Sequence, residues 1–310
     1  MIDRDRDRIV VPLLVRTTFP DTSVLECAVS GGADSTAMLM LAAATSREVV
    51  AHHVDHGLRP GSGRDAEVVE AVATRVGARL VRHSVAVEPG PNLEARARAA
   101  RHAVLPSAAL FAHTADDQAE TVLLQLLRGA GPTGLAAIST DRHPILDLRR
   151  AETHAVCERL GIDVVRDPSN DDAAFTRNRI RHEVLPMLAD VSGRDPVPLL
   201  CRAARHQRSV VSLVAMLASE VDPTVADVLT TLPQVVAAEA VRRWWCDATG
   251  SAYAPDEAAI GRVLAVARGD TRATEVSGGW RVERTARRMR LVAPGAAPVA
   301  RPNDVAGDSR

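Results

Sequence analysis

A short turn between an apolar run and a helical run constrains this chain more than any other stretch. The turn occupies residues 30–35, with the sequence SGGADS, and follows the apolar run 23–29, which predicts a buried strand. The run 36–44 that comes next predicts a helix. A strand that enters a helix through two glycines leaves backbone N–H groups free near the positive end of the helix. The turn is therefore suited to bind an anion such as a polyphosphate.

The side chains of this turn favour the same interpretation. Ser30 and Ser35 can donate hydroxyl hydrogen bonds, and Asp34 could hold a magnesium ion that bridges phosphate oxygens. The turn is not a Walker loop, because that motif requires Gly-Lys and the chain contains no lysine. The alternative is a strand–helix turn rich in serine and glycine that binds no ligand.

Strands and helices alternate along the first part of the chain. The pattern predicts further strands at 48–57, 79–85 and 108–112, and further helices at 65–76, 92–102 and 115–128. This alternation predicts an α/β fold with a doubly wound parallel sheet. Ligands of such sheets bind outside the carboxyl ends of the strands, which is where the SGGADS turn lies.

A second polar segment, residues 113–121, also lies where a predicted strand enters a helix. At about 100° per residue, Asp117 and Glu120 are about 60° apart on this helix, beside its apolar face. Two carboxylates at the carboxyl end of a strand could hold an ammonium group or a magnesium ion. The alternative is a helix cap, with Thr114 at the N-cap and Asp117 completing a capping box. The two interpretations are compatible.

Basic residues form a third group, in segments 146–150 and 177–186. Arg177 and Arg181 are i,i+4 neighbours on a predicted helix and can bind one phosphate or carboxylate together. A solvated basic helix face is the alternative.

The chain is long enough, at 310 residues, for two domains. The pattern after residue 190 predicts helices at 199–217, 233–248 and 255–267 and a hairpin at 274–283. We therefore predict a smaller, mostly helical second domain. The predicted organisation is a catalytic domain at 1–195, a helical domain at 196–293 and a disordered tail at 294–310, with a linker at 195–198 where the two domains meet.

Charge and cysteine usage exclude several classes of protein. The net charge of −1 is not that of a general nucleic-acid binder, so an RNA partner would be bound by local arginine clusters. Cys27, Cys157, Cys201 and Cys246 form no C-x-x-C pair, which argues against a zinc ribbon, an iron–sulfur site or a disulfide framework. No apolar stretch suits a signal peptide or a membrane span. We expect a soluble, cytoplasmic protein without a membrane partner.

Together these segments resemble a known family. The SGGADS turn is similar to the pyrophosphate loop of the ATP pyrophosphatases, and the ensemble resembles the tRNA(Ile)-lysidine synthases within that superfamily. The resemblance covers roughly residues 20–190. It rests on segments in the family's order and approximate spacing, at 30–35, 53–59, 92–101, 116–121 with 128–129, 167–170 and 177–186.

The resemblance implies a ligase reaction. Members of that family use ATP to adenylate the C2 oxygen of the wobble cytidine in an isoleucine tRNA with a CAU anticodon. The side-chain amino group of free lysine then displaces AMP, which gives lysidine. The implied co-substrate is ATP, the implied cofactor is Mg²⁺, and the implied partners are that tRNA and free lysine. Family members are often dimers, so a homodimer is implied as well.

The resemblance also implies roles for individual residues. Nucleotide binding is implied for Ser30, Gly31, Gly32, Ala33, Asp34, Ser35, His53, Asp55 and His56, with Asp34 also reaching magnesium. An H-x-D-H metal site is the alternative for the last three. Catalytic roles are implied for Asp34, Asp117, Glu120, Arg177 and Arg181.

Substrate contacts are implied for a further set of residues. Asp117 and Glu120 would bind the ammonium groups of lysine, and Arg177, Asn178 and Arg181 would contact substrate or developing negative charge. Contacts to tRNA phosphates are implied for Arg202, Arg205, Arg242 and Arg243, for which a solvated helix surface is the alternative. The acceptor of the lysine proton stays open among Asp34, Asp117 and Glu120.

Three other functions compete with this one. A related tRNA thiolase would rely on cysteine pairs, which the chain lacks. An amidotransferase-type relative would need an ammonia source, and no glutaminase region is evident. A nucleotide-binding sensor would keep the fold but would not need Asp117, Glu120 or the segment 177–181.

Overall fold

The computed structural model describes residues 2–55, 62–86, 90, 93–165, 172 and 174–295. The chain divides into two compact units, Met1–Arg208 and Ser209–Arg310. His56, the segment 167–170 and the predicted tail beyond residue 295 lie outside the described residues. None of the helices in the described part has both the length and the hydropathy needed to cross a membrane.

The first unit alternates strands with helices, as the sequence pattern predicts. Its elements are α1 (Ile2–Leu14), β1 (Val24–Ala28), α2 (Ala33–Ala43), β2 (Glu48–Asp55), α3 (Ser62–Val76), β3 (Arg79–Ser84), α4 (Leu93–Val104), α5 (Ala115–Leu127), α6 (Pro132–Leu135), α7 (Arg150–Arg159), α8 (Thr176–Arg179), a π-helical turn (Ile180–Val184), α9 (Leu185–Ser192) and α10 (Pro196–Ser219). The boundary between the two units falls within α10.

The sheet is parallel, with β2 between β1 and β3. On the other side of β1, Leu110 forms a parallel bridge with Cys27. The backbone of Leu110 donates to the Glu26 carbonyl at 2.7 Å and accepts from the Ala28 N–H at 2.9 Å. The predicted strand at 108–112 is therefore wrong in extent, because Leu110 is the only one of these described residues that forms a bridge with β1. The direction of strand addition reverses between β1 and Leu110, and such a switch point is where α/β sheets bind ligands.

Helix α2 lies in the core of the first unit and is buried around nearly its whole circumference. Its apolar residues occupy every face, which is the pattern of a helix covered on all sides. The prediction placed its start at residue 36, whereas the helix begins at Ala33. Residues 33–35 of the SGGADS turn therefore form the first turn of the helix, and their backbone N–H groups have no acceptor within it.

Other boundaries differ from the prediction for local reasons. The predicted linker at 195–198 is wrong, because α10 begins at Pro196, where proline is tolerated in a first helical turn. The Asp195 carboxylate accepts from the Val197 N–H at 3.0 Å and so stabilises this start. Helix α7 was not predicted, since Thr153, Val156 and Cys157 are its only buried residues and give a weak periodic signal.

The second unit combines helices with a small antiparallel sheet. After the end of α10 it contains α11 (Ala226–Thr231), α12 (Gln234–Thr249), α13 (Glu257–Arg268), β4 (Ala273–Glu275), β5 (Arg281–Thr285) and β6 (Arg288–Val292). The two predicted helices and the predicted hairpin are present, and β6 adds a third strand that was not predicted. Trp245 is buried in this core and meets the ring of Trp280 edge-on, with the ring centroids 6.0 Å apart.

Candidate active site

The SGGADS turn forms a compact loop at the carboxyl end of β1. The Ser35 hydroxyl donates to the Gly32 carbonyl at 3.0 Å and accepts from the Ser30 N–H at 3.2 Å. Gly31 has a φ of +87°, a conformation that glycine adopts without strain. A Cβ at Gly31 would lie 2.8 Å from Cγ2 of Val165, so the fold requires glycine there for space as well.

This loop has the features of an anion site. The N–H groups of Ala33, Asp34 and Ser35 lie in the first turn of α2, where positive potential is concentrated. Ser30 and Gly32 contribute further polar groups to the same turn. The geometry fits a polyphosphate, as the sequence predicts, and the loop requires no lysine to complete it.

Asp34 lies in the first turn of α2 and is largely buried. Thr153 of α7 donates its hydroxyl hydrogen bond to the Asp34 carboxylate. The other carboxylate oxygen, Oδ2, lies 3.8 Å from Nε of Arg150. Burial raises the pKa of Asp34 above its usual range, although Thr153 and Arg150 oppose the shift. The ionised form of Asp34 is therefore disfavoured in this environment. This suits a carboxylate that pairs with a cation when a ligand binds.

Helix α5 begins beside Leu110, at the other side of the switch point, and Thr114 caps it. The Asp117 carboxylate accepts from the Thr114 N–H and hydroxyl, both at 2.8 Å, which completes the predicted capping interaction. Oδ1 of Asp117 is not used by the cap and accepts from Arg150 at 2.9 Å and Arg177 at 3.2 Å. Burial would raise the pKa of Asp117, but the two arginines and the Thr114 N–H outweigh it and lower the pKa.

Glu120 lies one turn further along α5 and has no exposed surface. Its Oε1 accepts from Nε of Arg181 at 2.7 Å and from Arg150 at 3.1 Å. Its Oε2 accepts from Nε of Arg177 at 2.7 Å and from Arg181 at 3.2 Å. Both oxygens therefore have guanidinium partners, which the sequence did not indicate. The predicted contact of Glu120 with lysine stays a prediction.

Arg150 is the site residue that sequence reasoning missed. The segment 146–150 is basic, but the sequence alone does not show which residues its side chains contact. We name the set formed by Asp34, Asp117, Glu120, Arg150, Arg177 and Arg181 the charge cluster. It joins the first turn of α2 to the first turns of α5 and α7 and contains three carboxylates and three guanidinium groups.

The remaining predicted residues lie around this cluster at different distances from it. His53 is buried, and its Nδ1 lies 2.9 Å from the Val29 carbonyl, directly before the SGGADS turn. Asp55 ends β2 at the same edge of the sheet. Asn178 is buried and donates to the Asp172 carbonyl at 2.9 Å, so it braces the chain before α8. Its role in substrate binding stays a prediction.

The four arginines predicted to bind tRNA lie on helices of both units. Arg202 and Arg205 are exposed on α10 in the first unit. In the second unit, Arg242 lies 3.6 Å from Glu239, and exposed Arg243 donates to the Ala215 carbonyl at 3.1 Å. Their positions allow phosphate contacts but do not test them.

The described residues also show which side chains could bind a metal ion and whether the cysteines are ionised. Within the described ranges, no group of three or more His, Cys, Asp or Glu side chains is placed to hold a metal ion. A Mg²⁺ ion bound to substrate phosphates needs only one or two protein carboxylates, and Asp34 provides one. The four cysteines are unpaired. Burial raises the pKa of Cys157 and Cys201 to about 11, so these groups stay protonated thiols.

Comparison with known proteins agrees with this geometry. Residues 9–188 match the family model of the PP-loop domain. A tRNA(Ile)-lysidine synthase of Nocardia farcinica is 41% identical over 242 residues, which cover 73% of this chain and 76% of that protein. One from Mycobacterium tuberculosis is 38% identical over 288 residues, covering 85% of this chain and 86% of that protein.

The fold also has a likeness among solved structures. The U34-tRNA thiolase NcsA of Methanococcus maripaludis, solved with its [4Fe-4S] cluster, superposes with a TM-score of 0.50 at 15% identity. The superposition covers 66% of this chain and 79% of that one, and it shows the fold alone.

The PP-loop turn at the switch point of a parallel sheet defines an ATP-using enzyme of the PP-loop class. The sequence relationships narrow the class further, and the chain belongs to the tRNA(Ile)-lysidine synthase family. The predicted fold class and the predicted family are thereby confirmed.

Proposed function

We propose that this chain ligates free lysine to the wobble cytidine of a CAU-anticodon isoleucine tRNA, and that the charge cluster is where the lysine amine meets the adenylated base. One observation carries the proposal. A single guanidinium, that of Arg150, connects Asp34 at the PP-loop turn with Asp117 and Glu120 at the start of α5. The nucleotide half and the amine half of the site therefore adjoin.

The ATP half consists of the turn 30–35. The free N–H groups at the start of α2 receive the β- and γ-phosphates, and the hydroxyls of Ser30 and Ser35 add donors. His53 and Asp55 lie at the neighbouring strand end, beside the nucleotide. Asp34 is the carboxylate that would hold Mg²⁺, which offsets phosphate charge when it is bound.

The amine half consists of the carboxylates of the charge cluster. Asp117 keeps a lowered pKa, so it is ionised at neutral pH and attracts the ammonium groups of lysine. Glu120 adds a buried negative charge next to it and fixes the guanidinium groups of Arg177 and Arg181. The negative charge of these carboxylates favours a cationic amine over a neutral nucleophile.

The two arginines on α8 and on the π-helical turn supply positive charge to the reaction. Negative charge develops on the α-phosphate as the lysine nitrogen bonds to C2 of cytidine and the C2–O bond to AMP breaks. Guanidinium groups fixed in advance by Glu120 stabilise such charge without reorganising. The attacking amine must lose a proton before its nitrogen bonds to C2.

The tRNA is proposed to contact arginines of each unit, the exposed Arg202 and Arg205 on α10 and the half-buried Arg242 and exposed Arg243 on α12. Each of them would neutralise backbone phosphates rather than read bases. A homodimer is proposed on the resemblance to the family alone.

The proposal is tested with ATP labelled in its α-phosphate. We expect AMP to form only when tRNA with cytidine at the wobble position is present, and to accumulate only when lysine is added. A transcript with uridine at that position is the matched control. AMP formation that ignores the tRNA, or that proceeds equally with a shorter amine such as ornithine, would contradict the proposal.

A further inference from the structure

The guanidinium of Arg150 lies where three carboxylates converge, and each of its nitrogens faces a different one. Nη2 lies 2.9 Å from Asp117 and Nη1 lies 3.1 Å from Glu120. Nε lies 3.8 Å from Asp34. Among the described basic side chains, Arg150 is the one that contacts both the PP-loop carboxylate and the carboxylates of α5.

The backbone of Arg150 is fixed in the first turn of α7. Its N–H donates to Oδ2 of Asp116 at 2.7 Å. Asp116 is itself held by the guanidinium of Arg149, at 3.1 Å. Any rearrangement at this position is therefore a rotation of the Arg150 side chain rather than a movement of α7.

The carboxylates differ in what they would lose if that side chain turned away. Glu120 would keep Arg177 and Arg181, so its buried charge would stay paired. Asp117 would keep Arg177 at 3.2 Å and its contacts with Thr114. Asp117 Oδ1 and Asp34 Oδ2 would each lose the Arg150 guanidinium and could then pair with another cation. Arg150 therefore places between them an internal cation of the same charge as a lysine ammonium.

Charge balance determines when another cation can replace the Arg150 guanidinium beside Asp117 and Asp34. The cluster holds three carboxylates and three guanidinium groups, so with all six groups ionised it is neutral without ligands. Adding an amine cation alone would leave an uncompensated positive charge in a largely buried site, which is unfavourable. ATP brings several negative charges to the PP-loop turn next to Asp34, and these attract the adjacent guanidinium of Arg150.

We propose that Arg150 is the positioning residue through which ATP prepares the amine subsite. The guanidinium turns from Asp117 towards the bound phosphates. The lysine ammonium then binds in the position beside Asp117 that the guanidinium has left. Nucleotide and lysine therefore bind with positive cooperativity, and by reciprocity each raises the affinity of the other by the same factor. This inference rests on the proposed function, since it takes lysine as the amine.

The test measures the Kd of lysine by calorimetry, with the isoleucine tRNA transcript present and with or without Mg²⁺ and an ATP analogue that has a methylene between the α- and β-phosphates. We expect the analogue to tighten lysine binding about tenfold in the wild type. In Arg150→Met the two Kd values should agree within about twofold, because the mobile cation is gone. Arg150→Lys, which keeps the charge, should restore part of the effect and serves if the methionine variant fails to fold.

The outcomes separate this inference from the proposed function. Full cooperativity in folded Arg150→Met, or none in the wild type, overturns the role of Arg150 but leaves lysine ligation standing. No lysine binding under any condition removes both. Arg179→Met is the matched control, because Arg179 lies two residues after Arg177 but pairs with the exposed Glu183, and it should keep the wild-type cooperativity.

Discussion

Arg181 donates from Nε to Oε1 of Glu120 at 2.7 Å, and the carboxylate that receives this hydrogen bond has no exposed surface. A buried charge of this kind is tolerated only when its lone pairs are satisfied, and here Arg150 and Arg177 complete the set. Glu120 therefore fixes the direction of all three guanidinium groups of the charge cluster.

Glu120→Gln should destabilise the fold strongly. Removing one partner of a buried ionic network typically costs about 3–5 kcal/mol, because charges are left unpaired. Denaturant unfolding followed by circular dichroism measures the change. Glu183→Gln is the matched control, since its pair with Arg179 is exposed, and it should leave stability nearly unchanged. Equal stability of the two variants would contradict a structural role for Glu120.

Asp117→Asn should impair the use of lysine while sparing the nucleotide. The neutral amide attracts an ammonium group less, so we expect the KM for lysine to rise at least about tenfold. The Kd of ATP should stay within about threefold of the wild-type value. Asp141→Asn is the control, because Asp141 is exposed and bonds to the Ser139 hydroxyl. An unchanged lysine KM in folded Asp117→Asn would remove Asp117 from the amine site.

Asp34→Asn should abolish pyrophosphate release yet stabilise the protein at neutral pH. Because burial raises the pKa of Asp34, the folded state binds the proton more tightly than the unfolded state does. The wild type therefore loses stability as pH rises from the ordinary carboxyl pKa through the raised one, and asparagine does not. We expect a gain on the order of 1 kcal/mol at pH 7 that disappears at acid pH.

Asp116→Asn should change the stability of the protein at neutral pH in the opposite direction to Asp34→Asn. Burial would raise the pKa of Asp116, but hydrogen bonds from Arg149 and the Arg150 N–H outweigh it, and the pKa is lowered. Its ionised form stabilises the fold above the ordinary carboxyl pKa, and that contribution disappears as pH falls through the lowered value. Asp116→Asn should thus be destabilising at pH 7 and neutral at low pH. If the free energy of unfolding of the two variants, relative to the wild type, changed with pH in the same direction, the raised pKa of Asp34 and the lowered pKa of Asp116 would be contradicted.

Gly31→Ala should weaken ATP binding through the shape of the PP-loop turn. The added Cβ would lie 2.8 Å from Val165, and overpacking of this kind costs about 1–3 kcal/mol. Gly129→Ala is the control for the positive φ alone, since nothing lies within 4 Å of its added Cβ. The double variant Gly31→Ala/Val165→Ala should recover part of the ATP affinity, and a lack of recovery would place the loss elsewhere.

Arg202→Ala and Arg243→Ala should each weaken tRNA binding about threefold and reduce the slope of log K against log salt by about 1. Filter binding at several salt concentrations measures both quantities. Arg268→Ala, an exposed residue paired with Asp270, is the control and should leave the slope unchanged. A slope that stays at the wild-type value in both test variants would leave these arginines as part of a solvated surface.

The features that the sequence predicts well are those with a local signal. The SGGADS turn, the buried α2 and the capping of α5 by Thr114 and Asp117 depend on residues within a few positions of each other. Their glycine, serine and apolar pattern is enough to place them. The single bridge at Leu110 shows the limit, because the length of a strand depends on pairing with residues such as Cys27 that lie far along the chain.

The core of the site depends on contacts that no local pattern contains. Thr153 meets Asp34 across 119 residues of sequence, and Arg150 meets Glu120 across 30. Helix α7 has too few buried residues to give a clear periodic signal in the sequence. The sequence therefore does not predict where its polar side chains lie. The sequence identified the carboxylates of the charge cluster, and the structure added the arginine that connects them.

The most direct measurement is incorporation of radiolabelled lysine into a transcript of the CAU-anticodon isoleucine tRNA, with ATP and Mg²⁺, followed by mild alkali. We predict label that resists alkali, because a lysine joined to the base survives conditions that cleave a terminal ester. A transcript with uridine at the wobble position should take up none. AMP and pyrophosphate formed with the tRNA but without stable label would contradict lysine as the nucleophile, and the absence of both would contradict the reaction itself.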